Sequence, residues 1–175
     1  PWSSWQTMSV HRYGDKYKIK LDKRRAESRK LIRHFAEIAE LAVSLGGEVS
    51  FEWPRYCTSW HEKDLLTMIH KLGMFTAEVD GCACGVVDRS GVPILKPWRF
   101  ICTSERLAAS LCELRCKHDR DFKHSQCVGS KTKPTERYPM PLCRTILAGL
   151  FGYHNHCPSM LCRPKEAVSY THLTL

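Results

Sequence analysis

Glu48 to Val79 reads EVSFEWPRYCTSWHEKDLLTMIHKLGMFTAEV, and the order of patterns within it decides the fold class. Val49, Phe51 and Trp53 alternate with Glu48, Ser50 and Glu52, which predicts a short strand that Pro54 ends. Ser59-Trp60-His61-Glu62 fits a capping box, with a hydroxyl at the cap and a carboxylate three residues later. The helix it opens carries Leu65, Leu66, Ile69 and Leu72, and Gly73 closes it. Phe75 to Val79 is the next strand. A strand, a helix and a strand in this order form the repeating unit of layered α/β proteins.

Working outward, residues 1–15 are aromatic and polar and read as a loop. Residues 16–45 read as one long helix, because Leu31, Phe35, Ile38, Ala42 and Leu45 recur at spacings of three and four before Gly46-Gly47. Its first half is crowded with Lys16, Lys18, Lys20, Lys23, Arg24, Arg25, Arg29, Lys30 and Arg33. Such a run can touch phosphates, but a solvated helix face is the simpler reading. Beyond Val79, a β-rich stretch is broken by Asp88-Arg89-Ser90-Gly91, which reads as a hairpin turn. The returning strand covers Pro97 to Thr103. Ser104 is an N-cap for a helix with Leu107, Leu111 and Leu114. Residues 115–137 read as a polar loop. Pro139 and Pro141 suit the first turn of a last helix with Leu142, Ile146, Leu147 and Leu150. The whole order predicts an α/β layered sheet that an antiparallel strand joins late. Three or four strands are few for such a sheet, so a front half is expected to precede Pro1.

Composition supports a folded domain, with 43% apolar and 26% charged residues in a chain of 175. No stretch approaches the roughly 18 apolar residues of a membrane span. No secretory leader is visible either, so an intracellular setting, nuclear or cytoplasmic, is expected. The formal charge of +9 suits a polyanion such as nucleic acid, or is simply a solvated basic surface. Ten cysteines in such a setting read as reduced core thiols with room for one metal site. From Tyr153 onward no periodicity survives, so residues 153–175 are expected to be a tail outside the 1–152 domain. Within it, Val168 to Leu175 reads as a translated sequencing adaptor.

Three constellations could carry chemistry. Cys116, His118, His124 and Cys127 offer two thiolates and two imidazoles within a short loop, enough for tetrahedral zinc. Unrelated surface histidines and buried thiols are the alternative, and Cys112 is a further candidate ligand. Cys82 and Cys84 read as paired core thiols. Glu52, near the C-terminal end of a strand, lies where open α/β sheets bind ligands and could move a proton or bind a base edge. By itself it reads as an outward-facing surface glutamate. In Lys96-Pro97-Trp98-Arg99, basic groups flank an aromatic ring, which can hold a phosphate and stack on a base, or simply mark an edge strand.

Together these pieces resemble the second half of a cytosine-C5 DNA methyltransferase-like domain, of the type seen in phage genomes and retroelement-type polyproteins. The resemblance lies in motif order over about residues 1–152. It implies a partial Rossmann-like (class I methyltransferase-like) sheet, truncated at its N-terminal side, with S-adenosylmethionine as the parent domain's cofactor. Pro1-Trp2-Ser3-Ser4-Trp5-Gln6 resembles the segment after the family's Pro-Cys nucleophile, and this places Ser3 beside DNA. Phe51-Glu52-Trp53-Pro54 resembles the Glu-Asn motif, which implies that Glu52 binds and protonates the target cytosine; Trp53 stands where the family has asparagine. Lys96-Pro97-Trp98-Arg99 resembles a Lys-Pro-Thr-Arg strand, which makes Lys96 and Arg99 nucleic-acid contacts. Arg137-Tyr138-Pro139-x-x-Leu142 resembles the final motif beside the cofactor pocket. The resemblance puts the nucleophile and the cofactor loop upstream, so this chain is expected to be inactive alone and to work with the remainder of its parent polypeptide. The rival expectation is a non-catalytic, zinc-stabilised basic module of a mobile-element polyprotein that binds nucleic acid.

Overall fold

A computed structural model of the chain describes residues 1–3, 5–129 and 132–152; the expected tail and adaptor lie outside the described residues. Helix α1 spans Trp5–Ser44, strand β1 Ser50–Pro54, helix α2 Lys63–Lys71, strand β2 Phe75–Asp80 and strand β3 Pro97–Cys102. Helices α3, Glu105–Cys112, and α4, Met140–Phe151, complete the regular structure.

The described residues form a mixed α/β fold around a three-stranded sheet of order β1-β3-β2, with both neighbouring pairs antiparallel. β3 returns from β2 as the late antiparallel strand and enters the space beside β1. It opposes Glu52 with Phe100 and Trp53 with Arg99. β1 and β2 therefore run in the same direction, but the expected parallel ladder is not formed. A strand directly after a β–α–β unit can reach the gap between the two without a second crossover helix.

The two faces of the sheet bury separate apolar clusters, as alternation along β3 demands. Trp98, Phe100 and Cys102 join Ala77, Val79, Leu107, Leu111 and Leu142 under α3 and α4. Ile101 joins Ile32, Ala39, Trp60, Leu65 and Met68 under α1 and α2. Leu65, Leu107, Leu111 and Leu142 are fully buried, and each such side chain contributes about 1.5–3 kcal/mol relative to exposure.

Helix α1 begins earlier than the apolar spacing predicts. Ser3 caps it, its hydroxyl accepting the Trp5 amide at 3.3 Å, and the chain then turns through Gly14 at φ 67°, a conformation that glycine adopts without strain. Tyr17 donates to Gln6 across that break at 2.7 Å. The expected capping box is not formed. Ser59 is buried in a short 3-10 turn, Thr58–His61, with its hydroxyl 2.8 Å from the Cys57 thiol. Glu62 pairs with Arg29 of α1 at 2.7 Å instead of closing a box. The Ser104 cap forms as expected, accepting the Leu107 amide at 3.3 Å.

α3 and α4 approach closely at Gly149, where an added Cβ would lie 2.9 Å from the Leu107 Cα. Alanine favours a helix by about 1 kcal/mol over glycine. A backbone clash outweighs that gain, because overpacking costs about 1–3 kcal/mol. Gly149→Ala should therefore lower the urea midpoint without changing the slope of the transition.

Candidate functional site

Glu52 occupies the face of β1 that looks toward α4, since its partner Phe100 lies in the cluster beneath that helix. Its carboxylate accepts the Tyr138 hydroxyl at 2.7 Å. Tyr138 in turn meets Trp98 edge-on, ring centroids 6.0 Å apart, which fixes the hydroxyl over the strand. Lys96 enters the same face. Its ammonium donates to the Thr135 carbonyl and to the Thr135 hydroxyl (3.0 Å), and lies 5.2 Å from the centre of the Trp98 ring. Lys96 adopts φ 30°, the one non-glycine with positive φ among the described residues. Such backbone costs of order 1–3 kcal/mol and is found preferentially at functional sites. Gly81 tolerates it by presenting no side chain, since a Cβ there would lie 3.0 Å from the Lys96 Cβ.

Burial raises the Glu52 carboxyl above the ordinary carboxylate range, while the Tyr138 hydrogen bond and the Lys96 charge pull the other way. Burial likewise lowers the Lys96 ammonium. A group whose folded pKa is raised contributes stability below its unfolded value of about 4.3, and loses it as pH rises through the folded pKa. Tyr138→Phe removes a hydrogen bond that favours the carboxylate. Glu52 should then titrate higher still, which carboxyl NMR can follow directly.

The structure brings together Glu52, Lys96 and Tyr138, from three separate motifs, but does not bring Arg99 to them. Arg99 lies between Trp98 and Phe100 on β3, both of which face the α4 side, and so it points to the opposite face. There it pairs with Glu78 at 3.2 Å and sits over the Trp60 ring at 5.5 Å. Trp53 shares that face and packs edge-on against Phe51, centroids 4.8 Å apart. Ser3 acts as the α1 cap. The adjoining Trp2 carbonyl accepts both the amide (3.0 Å) and the hydroxyl (2.9 Å) of Thr58, which joins the N-terminal segment to the loop after β1.

The Cys/His loop forms a second group, with one change of membership. Cys116 Sγ lies 3.3 Å from His118 Nδ1 and 3.4 Å from His124 Nε2, and the two imidazole nitrogens are 3.2 Å apart. The fourth member is Cys82, whose thiol lies with the others inside a 4.8 Å span. Cys127 is elsewhere, with its sulfur 3.3 Å from the Thr135 hydroxyl beside Lys96. Cys112 is exposed at the end of α3 and is not in the group either. The pairing of Cys82 with Cys84 as core thiols is therefore corrected: Cys84 is buried in the core, whereas Cys82 turns toward Cys116 in the 3-10 turn Gly81–Cys84.

Asp80 holds these parts in place, and nothing in its sequence neighbourhood announces it. Its carboxylate accepts Arg55 at 2.8 Å, Arg115 at 3.0 Å and the Cys116 amide at 3.0 Å, and its own amide donates to the Leu114 carbonyl. Burial would raise this carboxyl, but the Cys116 amide and the two guanidinium groups together hold it low.

No family model, curated protein or solved structure matches this chain. The chemistry open to it is therefore read from these two groups. A half-buried carboxyl with a raised pKa, beside a lysine and a tyrosine, can hold a nitrogen heterocycle and donate a proton to it. Two thiols and two imidazoles at these separations suit a soft to borderline cation.

Proposed function

We propose that this chain supplies the C-terminal half of a cytosine-C5 DNA methyltransferase-like domain, in which Glu52 binds and protonates the target cytosine. The observation that carries the reading is the meeting of Glu52, Lys96 and Tyr138 on one face of the sheet, with Glu52 raised by burial. Protonating the ring as a nucleophile attacks C6 neutralises charge while it develops, and a carboxyl that burial raises above its ordinary value is better matched to that step than an exposed one. Lys96 adds positive charge beside the base, and Tyr138 orients the carboxylate. The stitch between Trp2 and Thr58 supports the reading, because it brings the segment resembling the post-nucleophile loop to the strand end that carries Glu52. The outer edge of β1 carries no partner strand among the described residues, so further strands could join there. The described residues include no glycine-rich strand–loop–helix that would cradle S-adenosylmethionine, so no step is assigned to the cofactor on this chain.

The test is transfer of a labelled methyl group to cytosine-containing DNA by the chain joined to its natural upstream sequence. The 175 residues alone should transfer none. Transfer by the extended protein that survives Glu52→Gln unchanged would sink the reading.

One observation favours a second reading, a non-catalytic nucleic-acid-binding module. Lys16, Lys20, Lys23, Arg24 and Lys30 of α1 are exposed, although Arg25 and Arg29 are engaged with Trp2 and Arg33 pairs with Asp64. Binding that falls steeply with salt and ignores both S-adenosylmethionine and Glu52 would select it.

A further inference from the structure

We propose that Cys82, Cys116, His118 and His124 bind a single zinc ion in a closed structural site, independent of the chemistry assigned to Glu52. Zinc–sulfur bonds of about 2.3 Å and zinc–nitrogen bonds of about 2.05 Å make a tetrahedron with edges of about 3.5 Å between S and N and about 3.3 Å between two N. The observed S–N separations of 3.3 and 3.4 Å and the N–N separation of 3.2 Å fall close to those edges. The same separations also suit hydrogen bonds among the three atoms; a central cation would bond all three at once, together with the Cys82 thiol.

The surroundings fix the ligands from both sides. The Cys116 amide is held by buried Asp80, two residues before Cys82, so the strand end and the loop arrive together. Phe122 stacks on His118, centroids 4.1 Å apart and planes 13° from parallel, and meets His124 edge-on at 4.9 Å. This ring sets both imidazoles at the angle their nitrogens need to face Cys116. The loop they anchor has little apolar content of its own, and metal ligation supplies the order that packing cannot. Four protein ligands leave no open position, which assigns the ion a structural role. Soft thiolates with imidazoles in a tetrahedron select zinc over magnesium or calcium.

The experiment is zinc reconstitution of the full chain under reducing conditions, followed by elemental analysis and alkylation mapping of the thiols. The proposal expects one zinc per chain. It expects Cys82→Ser to weaken binding by more than about 100-fold, beyond the 10–100-fold typical of an outer partner, and Cys127→Ser to leave it unchanged. Should Cys82→Ser fail to fold, the native chain decides: zinc should shield Cys82 and Cys116 from alkylation and leave Cys127 reactive. No bound zinc, or loss on Cys127→Ser with retention on Cys82→Ser, would overturn the site. Shielding of Cys127 in place of Cys82 would overturn it equally.

Discussion

Asp80→Ala should cost about 3–5 kcal/mol, the usual cost of removing one partner from a buried ion pair. The carboxylate is 5% exposed and the Arg55 side chain it meets is 9% exposed. Without Asp80 the Arg55 guanidinium keeps one carboxylate, Glu78 at 3.3 Å on the more open side of the network, and a long 3.4 Å contact to the Val79 carbonyl. Domains of this size are stable by about 5–15 kcal/mol, so the change would consume a large part of the total. Chemical denaturation followed by tryptophan fluorescence reads it directly, because Trp60 and Trp98 are buried on opposite faces of the sheet. Arg55→Leu combined with Asp80→Leu should cost less than the sum of the two single changes, since no lone charge remains. Additive costs would show that the pair is not coupled. A small loss in Asp80→Ala would mean that water reaches Arg55.

Glu52→Gln is the second large effect, and its two consequences have opposite signs. Glutamine keeps the shape and can still accept the Tyr138 hydroxyl, but it cannot give a proton to a ring nitrogen. Methyl transfer by the extended protein should fall by about 10²–10⁴-fold, the usual contribution of a positioned general acid. Preference for DNA with an unpaired cytosine should weaken by about 1–3 kcal/mol, the worth of one good base-edge contact. Stability at neutral pH should rise, because a carboxyl raised by burial costs stability once it is ionised. Lower activity with higher stability is the pattern of a residue kept for chemistry. A drop in both would mark Glu52 as a structural acceptor for Tyr138.

Much of the fold follows from local patterns. β1, from Ser50 rather than Val49, β2, running one residue past Val79, the Ser104 cap and the proline-led last helix form where alternation and capping predict them. The start of α1 escaped because Trp5 to Tyr13 lacks an apolar stripe; the helix there depends on the Ser3 cap and the Tyr17–Gln6 bond across Gly14. The antiparallel order of the sheet depends on where β3 inserts, which is set by tertiary packing and leaves no mark on β3 itself. Lys96 and Arg99 part company because Lys96 stands just before β3 in a positive-φ turn, whereas Arg99 alternates with Trp98 and Phe100 within the strand and lies over Trp60.

The metal group shows the same limit. Closeness in sequence marks Cys116, His118 and His124, and it draws in Cys127 for the same reason. Cys82 joins because Asp80 draws β2 to residues 114–116, a contact between distant parts of the chain. A buried network of this kind is legible only once the strands are placed. The Glu52–Tyr138 contact spans a similar distance: the strand pattern marks Glu52, but nothing in either local sequence pairs it with Tyr138.

The most direct test of the central claim is the sequence of the full transcript immediately upstream of Pro1. The account predicts a Pro-Cys dipeptide just before Pro1 and, farther upstream, a glycine-rich strand–loop–helix able to hold S-adenosylmethionine. An upstream sequence with neither the cysteine nor that loop would contradict it, and Glu52 would lose the nucleophile its proton is proposed to serve.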